Sequence, residues 1–265
     1  MQKRYLDSSL YFKEQTYTME KYIIPFLKKT MEISPNMHVA EVGCSMGGNL
    51  KPFLDLGCKK IVGIDINENS IKKAELNFND HPNRKNLTLI HSDIYDIDYR
   101  DFKPFDLIFL KDTLEHIPNQ ELFLNHIKKF LKKDGKLFLA FPPWKMPFGG
   151  HQQICSSILN KVPYFHILPK NIYKYIMKLF GEKDSIIKSL LETKETHIHL
   201  YNFKKIIFRQ NFDVVKSTLF IINPNYKVKF GLKPVKLPFF MNIPFISDFF
   251  ITTCYYVLKL NLETI

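Results

Sequence analysis

Cysteine is scarce in this chain of 265 residues, with four members at Cys44, Cys58, Cys155 and Cys254. No two of them form a C-x-x-C pair, and no cysteines and histidines cluster at the spacing of metal ligands. The pattern predicts reduced thiols, as in a cytoplasmic protein, rather than a disulfide framework. It gives no reason to expect a bound metal.

Long uninterrupted hydrophobic segments are also missing. The N-terminal stretch "MQKRYLDSSLYFKEQ" carries charges where a signal peptide needs an apolar run, so we expect no export signal. The most apolar stretch, residues 237–260, is interrupted by Asn242, Pro244 and Asp248, which disfavours a membrane span.

Acidic residues are outnumbered, 26 against 38 Lys and Arg, for a formal net charge of +12. The excess is uneven, because residues 1–150 carry a net +3 and residues 151–265 a net +9. One interpretation is an anionic partner, such as a phosphorylated substrate, nucleic acid or a membrane touched peripherally by the basic C-terminal half. The other is an ordinary lysine-rich, solvated surface.

Strand and helix patterns alternate through the first half of the chain. Five short, nearly continuous apolar segments are typical of buried strands: "HVAEVG", "KIVGIDI", "LTLIHSDI", "FDLIFL" and "KLFLAFP". Apolar strands separated by helices indicate a parallel sheet covered on both faces. We therefore predict a doubly wound α/β fold.

The helix patterns predict specific boundaries. Residues 17–31 are expected to form a helix that leads into the sheet, and the helix after the first strand to end at Gly57. Asn69 or Ser70 is placed to cap the next helix. Gly135 is placed to end the helix after the fourth strand.

The alternation breaks after the fifth strand, where residues 143–195 carry aromatics, prolines and two helix patterns. Such an insertion would cover the carboxyl edge of the sheet, where ligands bind in open α/β folds. The predicted units are a helical lead-in, a ligand-binding core, a helical acceptor lid and the C-terminal part of the sheet, at residues 1–35, 36–142, 143–195 and 196–265.

The turn after the first strand reads "GCSMGG", residues 43–48. A dinucleotide fingerprint needs a glycine where Ser45 stands, because the backbone must approach a pyrophosphate there. Glu41, Asp65 and Asp93 lie at the ends of the first three strands. These carboxylates would repel anionic NAD, whereas they would attract S-adenosylmethionine, whose sulfonium and ammonium outweigh its one carboxylate.

On these residues the sequence resembles the class I S-adenosylmethionine-dependent methyltransferases over about residues 36–142. "EVGCSMGG" is similar to the family's E/D-x-G-x-G-x-G loop, with Ser45 in place of the middle glycine. "FDLIFLKDTLEHIP" is similar to the family's fourth strand and the segment that follows it. The resemblance implies a mostly parallel, seven-stranded sheet with one antiparallel strand near an edge.

The resemblance also implies S-adenosylmethionine as the cofactor. The glycine turn would surround its methionine part, while acids on the second and third strands would hold the ribose and the adenine amino group. The residues so assigned are Glu41, Gly43, Ser45, Gly47, Asp65, Ile66, Asp93, Ile94 and Lys111.

Two histidines are candidates for the chemistry. A hydroxyl acceptor needs a base, and His116 lies beside the expected methyl position. His151 follows "PFGG" just past the fifth strand, where an acceptor would lie, and is the first candidate. His197 and His199 alternate on an extended stretch, so one of them would face the site and the other solvent. The other interpretation, and the favoured one, is ordinary polar packing.

The tetrad "FPPW" is similar to one in DNA amino-methyltransferases, but it begins with Phe141, which cannot accept a hydrogen bond from a base. Nucleic acid is therefore not an expected partner.

The hypothesis favoured by the sequence is methyl transfer to a small-molecule acceptor. The segments "FPPWKMPFGGHQQ" and "INPNYKVKFGLKP" resemble bacterial methyltransferases of small molecules or surface-polysaccharide sugars, so a sugar hydroxyl is one expected acceptor. An NAD-dependent oxidoreductase or epimerase and a non-catalytic protein that retains the fold remain as alternatives. The oligomeric state stays open.

Overall fold

A computed structural model of the protein describes residues 7–243 and 245–262. Its centre is a sheet of eight strands. Residues 1–6, which begin both the predicted lead-in and the stretch considered as a signal peptide, lie outside the described residues, as do Pro244 and residues 263–265. The strands are β1 (His38–Val42), β2 (Lys60–Asp65), β3 (Leu87–His91), β4 (Phe105–Lys111), β5 (Leu131–Phe141), β6 (Phe212–Ile222), β7 (Val235–Lys236) and β8 (Thr253–Leu260).

The strand order is β3-β2-β1-β4-β5-β8-β6-β7. Strands β1 to β5 pair in parallel. Strand β8 lies antiparallel between β5 and β6. The predicted doubly wound fold is confirmed, with one addition to the seven strands: the two-residue strand β7 pairs with β6 at the edge.

Nine α-helices surround the sheet in the described residues. They are α1 (Ser8–Thr18), α2 (Ile24–Leu27), α3 (Lys51–Asp55), α4 (Glu68–Phe78), α5 (Gln120–Ile127), α6 (Lys170–Leu179), α7 (Asp184–Thr196), α8 (Leu200–Arg209) and α9 (Asn225–Phe230). The two helices predicted in the insertion are α6 and α7.

The N-terminal helix differs from the predicted residues 17–31. Helix α1 begins at Ser8, and a π-helical turn at Met19–Ile23 joins it to α2, which ends at Leu27. The buried face of α1 is polar, formed by Glu14, Gln15 and Thr18. A helix is predicted from apolar residues that recur on its buried face. The buried face of α1 is polar, so the sequence pattern missed the first half of this helical segment.

Two further boundaries were wrong. Asn67, rather than Asn69 or Ser70, caps α4, because its side chain accepts a hydrogen bond from the backbone N–H of Ser70 at 3.1 Å. Gly135 does not end a helix but lies inside β5, at a register shift opposite β4. A Cβ there would come within 2.8 Å of the carbonyl oxygen of Phe105, so this glycine permits a close backbone approach.

Apolar side chains fill both faces of the sheet. Phe123 of α5 and Phe203 of α8 belong to one buried cluster. Phe53 of α3 and Phe78 of α4 belong to the other. The insertion has a small core of its own, formed by Cys155, Leu159, Phe165, Tyr173, Met177, Ile187 and Leu190.

The four cysteines are free and buried. Each packs as a small apolar side chain in one of the three clusters. Burial raises the pKa of the thiols of Cys44 and Cys254 well above its usual range, and that of Cys58 to about 11. They are therefore structural, unreactive thiols.

The described part of residues 237–260 contains no α-helix. It contains 3₁₀ turns at Phe239–Met241 and Ser247–Phe249, followed by β8. Among the described residues, no helix combines the length and the apolar character that crossing a bilayer requires.

Phe203 anchors α8 to the sheet, and its ring centroid lies 4.9 Å from those of both Phe141 and Tyr256. Phe203→Ala should lower the free energy of unfolding by about 3–5 kcal/mol, because it leaves a cavity in a dry aromatic cluster. Phe208→Ala, in the same helix but with an exposed side chain, should change it by less than about 0.5 kcal/mol. Urea denaturation followed by circular dichroism measures both, and equal effects would contradict this packing.

Candidate active site

The carboxyl ends of the parallel strands meet at one edge of the sheet, where the chain surrounds a cavity of about 320 Å³. Loops after β1, β2, β3 and β4 supply most of its wall, and α1 and α5 also contribute. Predicted site residues that line it are Gly43, Ser45, Asp65, Ile66, Asp93, Ile94, Lys111 and His116, and Asp112 lines it as well.

The glycine turn bends sharply after β1. Gly43 and Ser45 have φ angles of +75° and +49°, which favour glycine and explain why Gly43 occupies the first position. The backbone N–H groups of Gly43 and Cys44 donate to the carbonyl oxygen of Ile64 at 2.8 and 3.0 Å. The turn is therefore fastened to the end of β2.

Asp65 holds this turn and faces the cavity. Its carboxylate accepts hydrogen bonds from the backbone N–H groups of Ser45 at 2.7 Å and Asn67 at 2.8 Å. A carboxylate has about four lone-pair sites, so it can still accept from a ligand hydroxyl. Ile66, with 74% of its surface exposed, offers an apolar face next to it.

The end of β3 repeats this pairing of an acid with an apolar side chain. Asp93 is exposed and accepts from the backbone N–H of Tyr95 at 3.1 Å, which caps a short 3₁₀ turn. Ile94 is buried behind it, and both line the cavity. Two acids and two isoleucines thus face the same space from neighbouring strands.

Glu41 does not line the cavity, contrary to its predicted contact with the cofactor. Its side chain is fully buried, and one carboxyl oxygen accepts from the side-chain amide of Asn49 at 2.7 Å. Side chains alternate along a strand, so Glu41 and Val42 point to opposite faces, and Val42 is the one at the cavity. Burial raises the pKa of Glu41 to about 8.

Gly47 is not a cavity residue either. Its φ is +82°, and a Cβ would come within 2.5 Å of the ring of Phe78 in α4. This glycine therefore lets the turn pack closely against a helix rather than against a ligand.

Lys111 and Asp112 end β4 as a tight ion pair, with 2.5 Å between the Lys111 Nζ and an Asp112 carboxylate oxygen. Desolvation would lower the pKa of Lys111, but the charge of Asp112 outweighs it, so the pKa is raised. Desolvation would likewise raise the pKa of Asp112, and the lysine lowers it. Both groups stay charged.

A second cavity of about 290 Å³ adjoins the first. The two share wall residues at α1 and after β4, which are Tyr11, Gln15, Lys111, Asp112 and His116. Glu115 and His151 line only the second cavity, and α9 contributes Asn225, Tyr226 and Lys229.

His116 and His151 come together in this second cavity, with ring centroids 4.8 Å apart. His116 lies in a 3₁₀ turn, Leu114–His116, that follows β4. His151 has a φ of +57° and opens another short turn. Desolvation lowers the pKa of both, that of His151 to about 4, so both rings are neutral near pH 7.

Several site residues were missed by the sequence analysis. Tyr11 and Gln15 lie on the helix whose polar inner face gave no apolar signal, while Glu115 was not singled out beside His116. His197 and His199 line neither cavity. Instead, His199 Nδ1 lies 3.7 Å from the buried carboxylate of Asp248.

Residues 40–139 match the family described as "Methyltransferase domain". Together with the strand order, this confirms the class I S-adenosylmethionine-dependent methyltransferase fold that the sequence resembles. The core of this chain has the fold of that family.

This chain is also similar in sequence to methyltransferases of other organisms. A ubiquinone biosynthesis O-methyltransferase of Bartonella tribocorum is 28% identical over 135 residues, 47% of this chain and 49% of that protein. A ubiquinone biosynthesis O-methyltransferase of Bartonella bacilliformis is 26% identical over 191 residues, which are 66% of this chain and 67% of that protein. The chain spans about half the length of the first relative.

The fold extends beyond the matched family segment. The crystal structure of magnesium protoporphyrin IX methyltransferase from Synechocystis with bound SAH aligns over 93% of this chain and 83% of that one, with a TM-score of 0.55. At 14% identity, that likeness concerns the fold alone.

Burial of Glu41 makes stability depend on pH. The folded chain keeps a proton on this carboxyl up to about pH 8, whereas the unfolded chain releases it near the ordinary value of 4.5. The contribution of this carboxyl to the free energy of unfolding is therefore lost as the pH rises from 4.5 to about 8, by up to about 1.4 kcal/mol per pH unit.

Glu41→Gln should flatten the decline of folding stability with rising pH, because the amide stays neutral and can still accept a hydrogen bond from Asn49. Urea denaturation at pH 5, 6, 7 and 8 compares the variant with wild type. Asp98→Asn changes an exposed acid whose pKa is lowered to about 2, so its curve should stay parallel to wild type across this range. A parallel curve for Glu41→Gln would contradict the buried, protonated carboxyl.

Proposed function

We propose that this protein transfers the methyl group of S-adenosylmethionine to a hydroxyl group of a small-molecule acceptor. The observation that carries the proposal is the meeting of two cavities at the carboxyl edge of the sheet, with shared walls at Lys111, Asp112 and His116. A donor in one and an acceptor in the other would meet at these residues, which is the alignment that methyl transfer needs.

The first cavity suits S-adenosylmethionine in charge and shape. The Asp65 carboxylate is placed to accept from ribose hydroxyls, with Ile66 against the adenine. Asp93 is placed to accept from the adenine amino group, and Ile94 offers an apolar side chain beside it. Asp112 adds a negative charge on the side where the sulfonium would lie, although Lys111 partly offsets it.

The second cavity supplies groups for a hydroxyl acceptor. His151 and His116 are neutral imidazoles there, so either can take the proton that a hydroxyl loses when its oxygen attacks the methyl carbon. The Bartonella relatives described above are O-methyltransferases by name. We therefore propose O-methylation, with sugars and phenols as the two acceptor classes to compare in a methyl-incorporation assay.

Asp65→Ala should weaken S-adenosylmethionine binding by about 1–3 kcal/mol, because it removes charge-assisted hydrogen bonds to the ribose and frees the glycine turn. Ser45→Gly should bind nearly as wild type, since the φ of +49° at this position suits glycine. Isothermal titration calorimetry with the full chain measures both. Unchanged affinity of Asp65→Ala would sink the assignment of the first cavity.

A membrane surface is the second partner that we propose. The apolar tip, defined as residues 239–243 and 245–246, presents large side chains to solvent, with Phe239 and Phe240 at 94% and 80% exposure. Met241, Ile243, Phe245 and Ile246 are also exposed. So large an apolar patch on a charged protein is typical of an interaction site rather than of ordinary surface.

The positive charge around the apolar tip favours an anionic partner. No acidic residue occurs between Asp213 and Asp248, whereas five lysines do: Lys216, Lys227, Lys229, Lys233 and Lys236. Phe208 and Phe239 also line a groove of about 530 Å³ together with Lys204 and Lys236. Apolar side chains surrounded by lysines fit an anionic lipid surface, where the rings enter the interface and the lysines contact headgroups.

Replacing both Phe239 and Phe240 by Ser should reduce binding to vesicles of phosphatidylglycerol and phosphatidylcholine about tenfold or more, because two buried rings are lost. The matched control replaces Leu179 and Phe180 by Ser, an exposed apolar pair at the end of α6. Vesicle sedimentation is the measurement. Equal loss in both variants, or equal binding of wild type to pure phosphatidylcholine, would contradict the proposal.

A further inference from the structure

Glu115, His116 and His151 form a compact cluster in the wall of the second cavity. One ligand-type atom from each side chain lies within 4.8 Å of the others. His151 Nε2 is 4.0 Å from a carboxyl oxygen of Glu115. The first two residues follow β4 and the third follows β5, two strands that pair in the sheet. Parallel pairing therefore brings together residues that are 35 positions apart in sequence.

The carboxyl group of Glu115 is in an unusual environment. The residue is only 4% exposed. Neither carboxyl oxygen has a hydrogen-bond partner among the residues that the structure describes. The backbone is fixed nonetheless, because the hydroxyl of Thr196 donates to the Glu115 carbonyl oxygen at 2.6 Å. A buried carboxyl with two unsatisfied oxygens is costly unless something else binds it.

We propose that Glu115, His116 and His151 bind a divalent transition-metal ion, with zinc as the best match. Two imidazole nitrogens and one carboxylate oxygen are a donor set that zinc uses at sites with an open fourth position. The mixed nitrogen and oxygen donors disfavour magnesium and calcium, which prefer oxygen ligands alone. The ion would satisfy the buried oxygens of Glu115.

The geometry is close to what binding needs. Tetrahedral ligands about 2.0–2.1 Å from zinc lie about 3.3 Å from one another. The ligand atoms, now up to 4.8 Å apart, have to approach one another by up to about 1.5 Å, which rotation about the χ angles of the three side chains can supply. His116 and His151 both face the cavity, so the fourth position is open to a small molecule there.

The site gives the acceptor a place to bind, and this consequence rests on the proposed function. With the ion bound, the two imidazoles would serve as ligands rather than as the base. A hydroxyl at the open position would instead lose its proton to solvent at lower pH, because a bound cation stabilises the alkoxide. The alkoxide oxygen would then form a bond to the methyl carbon as the bond from that carbon to sulfur breaks. The products are a methyl ether, S-adenosylhomocysteine and the released proton.

The test measures metal binding without donor or acceptor. Chelator-treated full-length protein is titrated with Zn²⁺ and Co²⁺, with Mg²⁺ as the comparison ion. We expect one equivalent of Zn²⁺ or Co²⁺ to bind, with visible absorption from the cobalt form and no comparable Mg²⁺ affinity. Glu115→Gln and His151→Ala should each weaken binding at least tenfold.

His199→Ala is the matched control, because His199 also lies beside a buried carboxylate, that of Asp248. It should bind metal as wild type does. Circular dichroism checks that each variant folds, and S-adenosylmethionine titration checks the first cavity separately. No stoichiometric metal binding by wild type, or full binding by folded Glu115→Gln, would overturn this site and leave the proposed donor site standing. Loss of S-adenosylmethionine binding alone would overturn the function and leave the metal site.

Discussion

The hydrogen bond from the Ser45 N–H to the Asp65 carboxylate holds the ligand-binding edge of the fold in place. It joins the turn after β1 to the end of β2, beside two further bonds from that turn to Ile64. One side chain thus sets the shape of the turn and keeps a negative charge at the cavity wall. The parallel pairing of β1 with β2 and β4 makes this possible, because it brings the carboxyl ends of all three strands to the same edge.

The polar inner face of α1 links this edge to the rest of the site. The Thr16 hydroxyl donates to the carbonyl oxygen of Gly48 in the glycine turn, and Thr18 is hydrogen-bonded to Asn225 in α9. Tyr11 and Gln15 line both cavities from the same helix. An apolar inner face on α1 would pack more favourably against the core, but it could not form hydrogen bonds to polar ligands in the cavities. Polar burial in α1 is therefore explained by its position over the site.

Burial separates the acids at the strand ends into different roles. Asp65 and Asp93 stand where solvent and ligand can reach them, whereas Glu41 lies on the opposite face of its strand and is neutral over much of the pH range. Glu115 is buried as well, but next to two histidines at the second cavity. The acidic residues thus have different roles according to their surroundings. Asp65 supports the glycine turn, Asp65 and Asp93 face the first cavity, and Glu115 belongs to the proposed metal cluster.

The sequence alone determined the strands, the α/β class and the acids at Asp65 and Asp93, because apolar strands and the turns after them are local patterns. It also marked His116 and His151 separately. Only the tertiary structure decided that Glu41 and Gly47 turn away from the cavity, that Gly135 lies in a strand, and that Glu115 joins the two histidines. Strand register and the pairing of β4 with β5 fix those positions, and both depend on contacts between residues far apart in the chain.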